Sequence, residues 1–158
     1  MMQKKEETIT LIMNLGLSKE EAFERFVNHF NNWWPKKYTW SGQKLKFIQI
    51  EANVNGKCFE IGPHDFRLDW GRVLEFEKSN KIVFSWQISP IRVPEPDPAK
   101  GSEVEIVFKE EDGLTKLVFE HRSFSNHGNG WRKYIEALKS EQGWPYILNR
   151  YKRHCETG

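Results

Sequence analysis

The hydrophobic pattern begins with a strand and passes into a helix. Residues 7–14, ETITLIMN, are rich in β-branched and apolar side chains, so they predict a first strand. Ser18 suits a helix N-cap, and Glu21, three residues later, completes a capping box. The residues that follow repeat at the spacing of one helical face, and the helix is predicted from them: Phe23, Phe26, Val27 and Phe30.

Two adjacent tryptophans close this helix pattern. Successive helical residues point about 100° apart, so Trp33 and Trp34 cannot both lie on one apolar stripe. Pro35 disfavours helical angles at the residue before it, so the helix should end at or before Trp33. We expect Trp33 to continue the apolar face of the helix. Trp34 should point elsewhere, as the lip or the plug of a cavity.

Six further strand patterns follow, joined mostly by hairpins. Turn signals stand at Asn55-Gly56, at Lys78-Ser79-Asn80 and at Glu111-Asp112-Gly113. The second strand pattern, KLKFIQIE, alternates and groups Leu45, Phe47 and Gln49 on one face. Four of the seven prolines fall in residues 89–101, which predicts a loop between the last two hairpins.

The chain ends in helical patterns. One begins at Trp131, Gln142-Gly143 interrupts it, and Pro145 suits the first turn of a new helix with Ile147, Leu148 and Tyr151 on its apolar face. The predicted fold class is therefore α+β. We expect a curved antiparallel sheet of about six or seven strands wrapped around a long C-terminal helix, with short helical segments after the first strand. A length of 158 residues favours one domain, residues 1–158.

Strand alternation assigns side chains to the inner face of the sheet, and one strand is ambiguous. In RLDWGRVLEFE, residues 67–77, Arg72 falls in phase with Trp70 and other apolar residues unless Gly71 marks a bulge. Without a bulge Arg72 faces inward and needs a partner carboxylate from the protein or from a ligand. The other strands give clear inner sets: Ile82, Phe84, Trp86 and Ile88; Val104, Ile106 and Phe108; Leu117, Phe119 and His121.

His121 is the best single polar candidate on that inner face. A neutral imidazole can hydrogen-bond a ligand or act as a base near neutral pH, whereas a core histidine bonded within the protein is the competing interpretation. A metal site could combine His121 and His127 with Asp65 or His64, but their spacing matches no recognised ligand set, so no metal is expected. We find no nucleophile elbow and no phosphate-binding glycine loop.

Composition and charge narrow the class of protein. A net charge of +2 is too small to favour nucleic acid as a partner, and the basic run at residues 149–154 suits the solvated side of a helix. The N-terminal residues contain no long apolar run, so neither a signal peptide nor membrane insertion is predicted. Cys58 and Cys155 form no close pair, which favours a reducing cytoplasm, with Cys58 in the core and Cys155 at a frayed terminus.

Four stretches in this order carry a family resemblance: residues 22–35 (AFERFVNHFNNWWP), 70–86 (WGRVLEFEKSNKIVFSW), 102–121 (SEVEIVFKEEDGLTKLVFEH) and 143–148 (GWPYIL). The chain resembles the homologues of the activator of heat-shock protein 90 ATPase. That family lies within the helix-grip superfamily of steroidogenic-acute-regulatory-type lipid-transfer domains and polyketide cyclases. The resemblance spans about residues 6–154 and implies the helix-grip fold. ATPase activation is not carried over, because the co-chaperone that names the family uses a separate domain for its chaperone contact.

The aromatic share of 14% motivates the functional hypothesis. We expect a non-catalytic domain, with no cofactor, that binds a hydrophobic small molecule or regulates a partner protein through a cavity between the sheet and the C-terminal helix. A packed core without a cavity is the alternative. The expected ligand-binding residues are Trp34, Trp70, Arg72, Phe84, Trp86, Phe108, Phe119, His121 and Tyr151.

Two other functions stay open at this point. One is an enzyme of cyclase or hydrolase type, with His121 as base and Arg72 holding an anion. The other is an interaction module, chaperone- or stress-related, that docks a partner protein through the exposed sheet face or the proline-rich loop 90–98. The oligomeric state is expected to be a monomer or a homodimer.

Overall fold

A computed structural model describes residues 7–157 of the chain. Within these residues the strands form a single curled antiparallel sheet in the order β1-β7-β6-β5-β4-β3-β2. The predicted α+β architecture is confirmed. The strands are β1 Ile9–Leu15, β2 Phe47–Ile50, β3 Lys57–Ile61, β4 Arg67–Glu77, β5 Lys81–Trp86, β6 Ser102–Glu111 and β7 Leu114–Arg122. The helices are α1 Lys19–Val27, α2 Phe30–Trp33, α3 Trp131–Lys139 and α4 Trp144–Glu156.

The helix after β1 begins where the sequence predicts, but it is divided into two segments before Trp33. Ser18 is the N-cap of α1, and its hydroxyl accepts a hydrogen bond from the Glu21 amide at 3.2 Å. The helical path breaks after Val27 and resumes as the single turn of α2. Trp34 follows in extended conformation, with φ −63° and ψ 131°, as expected of a residue before proline.

The predicted hairpin turns are confirmed by positive backbone φ angles. Asn55 has φ 69°, Ser79 has φ 69°, and the pair Asp112 and Gly113 has φ 53° and 80°. The proline-rich stretch between β5 and β6 is a loop, as predicted. Ile88 bridges Pro94 within it, and a short 3-10 turn, Pro98–Lys100, follows.

The inner face of the sheet is buried along β5, β6 and β7 as alternation predicts. The group predicted to share a face in the second strand pattern is divided, because Leu45 lies before β2 and is buried. Phe47 and Gln49 are exposed, whereas Ile48 and Ile50 are buried in the core. Both faces of KLKFIQIE carry apolar residues, so alternation alone could not say which face turns inward.

Strand β4 contains two bulges, and they correct the inward placement of Arg72. Cys58 pairs with Gly71 and Phe59 with Asp69, so Trp70 is an extra residue against β3. Val73 pairs with Phe84 and Glu75 with Val83, so Leu74 is an extra residue against β5. The bulges shift the phase, so Trp70 and Val73 are both buried and Arg72 between them is exposed on the outer face.

Gly71 is required at the first bulge because the neighbouring strand passes very close. A Cβ atom there would lie 2.3 Å from the Ser85 carbonyl oxygen. Only glycine allows this approach of backbone to backbone.

The C-terminal helices cover the inner face. Gly143 precedes α4, Pro145 lies in its first turn, and Ile147, Leu148 and Tyr151 are buried as predicted. The Tyr151 hydroxyl donates to the Ala22 carbonyl at 2.6 Å and joins α4 to α1. Among the described residues, no helix is both long and apolar enough to cross a membrane.

One of the two cysteines does not lie in the environment that the sequence predicts. Cys58 is fully buried, as predicted, and burial raises the pKa of its thiol well above the usual value. Cys155 lies in α4 and is also buried, so its assignment to a frayed terminus is wrong. The helix continues past the basic run because its apolar face still contacts the core.

Candidate ligand-binding site

A cavity of about 420 Å³ opens between the end of β5, the α3–α4 corner and two loops. The first loop, residues 34–46, joins α2 to β2, and the second is the proline-rich loop, residues 87–101, between β5 and β6. Its volume lies within the range of small-molecule sites, roughly 300–1,000 Å³. Apolar and aromatic side chains make up much of the lining, and charged side chains come only from Lys37 and Arg92 among the described residues. The lining residues are Trp34, Lys37, Tyr38, Thr39, Trp40, Trp86, Ile88, Arg92, Tyr134, Ala137, Leu138, Ser140, Gln142, Gly143 and Ile147.

Trp34 forms a wall of this cavity because the proline after it turns the chain. Its ring stacks on Phe30 at 4.9 Å and on Trp70 at 6.2 Å, with interplanar angles of 20° and 17°. Trp33 packs instead against Phe26 and Phe30, each at 4.9 Å, and its indole N–H donates to the Arg25 carbonyl. The two adjacent tryptophans therefore point in different directions, as the sequence predicts: Trp33 packs in the core, and Trp34 lines the cavity.

A buried carboxylate holds the first loop at the cavity. Glu60 of β3 is fully buried and accepts three hydrogen bonds, from the Trp40 amide at 3.1 Å, the Ser41 amide at 2.9 Å and the Ser41 hydroxyl at 2.7 Å. These donors compensate for the loss of solvent around the carboxylate. Glu60 thereby fixes the position of Trp40, which is one wall of the cavity.

The two loops are joined to each other and to the C-terminal helices. The Trp40 indole N–H donates to the Arg92 carbonyl at 2.8 Å. The Tyr38 hydroxyl donates to the Gln142 carbonyl at 2.6 Å. Arg92 adopts φ 65°, an uncommon conformation for a residue other than glycine, and this turn brings its side chain over the Tyr134 ring at 4.6 Å.

Tyr134 of α3 connects the helix to the sheet beside the cavity. Its hydroxyl accepts from the Trp86 indole N–H at 2.7 Å and donates to the Ile88 carbonyl at 2.8 Å. Burial is the main cause that raises the pKa of Tyr134 to about 12, so the hydroxyl stays protonated and keeps its donor role at neutral pH.

Of the expected ligand-binding residues, Trp34 and Trp86 line the cavity. Arg72 does not, because the β4 bulges turn it outward. The other expected residues pack against one another behind the cavity wall, where their rings lie within about 6 Å of aromatic neighbours. These are Trp70, Phe84, Phe108, Phe119, His121 and Tyr151. The interpretation that these aromatics fill a core therefore holds for most of them.

His121 is a core histidine with both ring nitrogens occupied. Nδ1 lies 2.9 Å from the Trp144 indole N–H, which can only donate, so Nδ1 accepts and Nε2 carries the proton. Nε2 then donates to the Ser102 hydroxyl at 2.7 Å, and that hydroxyl donates to His127 Nε2 at 2.7 Å. Burial lowers the pKa of His121 well below its usual value, and the neighbouring His127 adds to this effect.

His121 is neutral and lies outside the cavity lining. Burial also lowers the pKa of His127 to about 4. His121 is fully buried and does not line the cavity, so the arrangement gives it no access to a substrate. Across residues 7–157, no group of three or more histidine, cysteine, aspartate or glutamate side chains is arranged to hold a metal ion.

Sequence reasoning missed the loop and helix residues of the cavity. Lys37 and Tyr38 lie in a short 3-10 turn, Trp40 in the bend that follows it and Arg92 in the proline-rich loop, where no periodicity indicates direction. Tyr134 was within the predicted helix pattern but was not singled out. A signal did exist, since WWPKKYTW places four aromatic residues in eight positions, 33–40, at the end of a helix.

The chain is similar to a known family of proteins over most of its length. The sequence pattern of the family described as "Activator of Hsp90 ATPase homolog 1-like protein" matches residues 17–156. The chain belongs to this family. The comparison with curated proteins gives no match.

Solved structures show the same fold as this member of the family. The anthrahydroquino-gamma-pyrone synthase Txn09 is 24% identical, with a TM-score of 0.65, and the match covers 94% of this chain and 97% of that chain. The self-sacrificing resistance protein CalC from Micromonospora echinospora is 20% identical, with a TM-score of 0.64 and coverages of 96% and 95%. A protein from Nitrosomonas europaea is 12% identical, with a TM-score of 0.67 and coverages of 96% and 96%.

Proposed function

We propose that this member of the family binds a hydrophobic small molecule that contains an aromatic ring system, in the cavity between the two loops and the α3–α4 corner. The observation that carries the proposal is the aromatic lining itself. Trp34, Trp40, Trp86, Tyr38 and Tyr134 surround a volume of about 420 Å³. Their rings offer both apolar area and flat surfaces against which an aromatic ligand can stack.

Burial of apolar surface supplies the binding energy. A ring system that loses about 200 Å² of apolar surface gains about 5 kcal/mol at ~25 cal/mol per Å², and the cost of association offsets part of this gain. The walls are fixed in advance by Glu60, by the Trp40–Arg92 bond and by the Tyr134 bonds. A preformed site keeps the cost of ordering small.

The names of two structural relatives support a ligand of this kind. One is a synthase of an anthrahydroquino-gamma-pyrone, and another, DynU16, comes from the dynemicin biosynthetic locus. Binding rather than catalysis is proposed because the residues expected to act in an enzyme do not meet at the cavity. His121 is enclosed in the core, and Arg72 lies on the outer face.

A substitution that fills the cavity tests the proposal. Ala137 lies on the exposed side of α3 and lines the cavity, so Ala137→Trp should occupy the space with little effect on the core. We expect the fluorescent probe N-phenyl-1-naphthylamine to bind the wild type saturably. Its affinity for Ala137→Trp should be lower by about tenfold or more, which corresponds to ~1.4 kcal/mol or more.

Ala52→Trp provides the matched control. Ala52 is also exposed but lines a separate groove, beside α1, α2 and β2. The probe should bind this variant as tightly as it binds the wild type. The proposal fails if the wild type shows no saturable binding of N-phenyl-1-naphthylamine or of a broad set of aromatic compounds. It also fails if Ala137→Trp binds the probe unchanged.

A further inference from the structure

The charges at the cavity are of one sign. Among the described lining residues, Lys37 and Arg92 carry positive charge and no aspartate or glutamate is present. Both side chains are exposed, so they stand at the mouth of the cavity, whereas Trp34, Trp86 and Ile147 are buried at its walls. The cavity is therefore apolar inside and cationic at its opening.

Protein carboxylates do not neutralise these two cations. Within residues 7–157, neither Lys37 nor Arg92 forms an ion pair. Glu60 binds the loop that carries Lys37, but its two carboxylate oxygens already accept three hydrogen bonds from that loop. Lys37 and Arg92 are left with charge available to a molecule that enters the cavity.

Aromatic rings hold both cations in place. The Lys37 ammonium lies 4.5 Å from the Tyr146 ring centroid and 5.3 Å from that of Tyr38. The Arg92 guanidinium lies 4.6 Å from the Tyr134 ring centroid. Such contacts restrict where the charges lie without neutralising them. Both are thus kept at the opening.

We propose that the ligand is an aromatic molecule that carries an acidic substituent, such as a carboxylate or an ionised phenol. The ring system lies inside against the tryptophans, and the acidic group lies at the mouth between Lys37 and Arg92. This inference rests on the proposed binding function and adds the charge of the ligand to it. The cations select among hydrophobic molecules, because a neutral one gains nothing from them.

Two probes with the same skeleton test the inference. 1-Anilinonaphthalene-8-sulfonate is anionic, and N-phenyl-1-naphthylamine is its neutral counterpart. In the double variant Lys37→Gln/Arg92→Gln, the affinity for the anionic probe should fall about tenfold more than the affinity for the neutral probe. Added salt should weaken only the binding of the anionic probe.

Two control variants separate a local effect from a general one. Lys78→Gln/Lys109→Gln removes the same net charge at exposed positions that do not line the cavity, and it should leave both affinities unchanged. Arg92→Lys keeps the positive charge and should retain most of the affinity for the anionic probe. Far-ultraviolet circular dichroism of each variant confirms that it is folded.

The outcomes distinguish the two proposals. If the neutral probe binds the wild type and the anionic probe binds the Lys37/Arg92 variant as tightly as the wild type, the charge inference is overturned and the binding function stands. Equal losses in the lysine control also overturn the inference. If neither probe binds the wild type saturably, the binding function fails and the inference fails with it.

Discussion

Replacing Trp144 with alanine is expected to lower the free energy of unfolding by about 3–5 kcal/mol, the range for loss of a large aromatic side chain from a core. Trp144 begins α4 and is almost fully buried. Its ring lies 4.5 Å from Phe119 and 5.2 Å from Trp86, so it joins the helix to the inner face of the sheet. Its indole N–H also supplies the donor for His121 Nδ1, and alanine leaves that buried nitrogen unpaired.

Urea unfolding followed by circular dichroism measures this loss. One further variant separates the lost hydrogen bond from the lost ring contacts, and another serves as a control. Trp144→Phe keeps most of the ring contacts but removes the donor, so it should cost about 1–3 kcal/mol, the cost of an unpaired buried acceptor. Trp131→Ala is the matched control, since Trp131 is only partly buried at the start of α3, and it should cost less than about 2 kcal/mol. A Trp144→Ala variant no less stable than Trp131→Ala would show that Trp144 does not join helix to sheet.

The second large effect is expected at Glu60. Glu60→Ala removes the acceptor of the Trp40 amide, the Ser41 amide and the Ser41 hydroxyl in a fully buried place. Each buried group left unpaired costs about 1–3 kcal/mol, and partial entry of water lowers the total, so we expect a loss of about 2–4 kcal/mol. The affinity for N-phenyl-1-naphthylamine should fall as well, because Trp40 loses its anchor.

A graded series of variants tests the role assigned to Glu60. Glu60→Gln keeps one acceptor oxygen and should lie between alanine and the wild type in stability. Glu51→Ala is the comparison at the surface. Its carboxylate also accepts a backbone amide, from Lys57 at 2.7 Å, but in an exposed place, so the loss should be below about 1 kcal/mol. If Glu60→Ala costs no more than Glu51→Ala, the buried carboxylate does not hold the loop.

The elements of the fold could be predicted because they depend on local signals. Ser18, the turn at Asn55-Gly56 and Pro145 act within a few residues of their own position, and each is found where expected. The sequence left the direction of Arg72 open between a regular strand and a bulge at Gly71, because a bulge depends on the neighbouring strands. The need for glycine at position 71 comes from the Ser85 carbonyl of β5, which alternation along β4 does not reveal.

The cavity could be predicted only in part for a related reason. Trp34 and Trp86 were found because proline and strand alternation fix their directions. Phe108 and Phe119 have the same pattern but are covered by α1 and α4, and the sequence does not say where a helix closes the space above a strand. Lys37, Trp40 and Arg92 belong to loops, whose paths are set by long-range contacts such as the bond from Trp40 to the Arg92 carbonyl.

A small molecule that enters between the two loops and the α3–α4 corner should be detected by the indole N–H resonances of the seven tryptophans. Single Trp→Phe variants assign the resonances in two-dimensional ¹H–¹⁵N spectra. On saturation with N-phenyl-1-naphthylamine, the largest shifts should occur at Trp34, Trp40 and Trp86, which line the cavity, and Trp33 and Trp131 should not move. Largest shifts at Trp33 or Trp131, or unchanged resonances of Trp34, Trp40 and Trp86 at saturation, would show that the probe does not bind in this cavity.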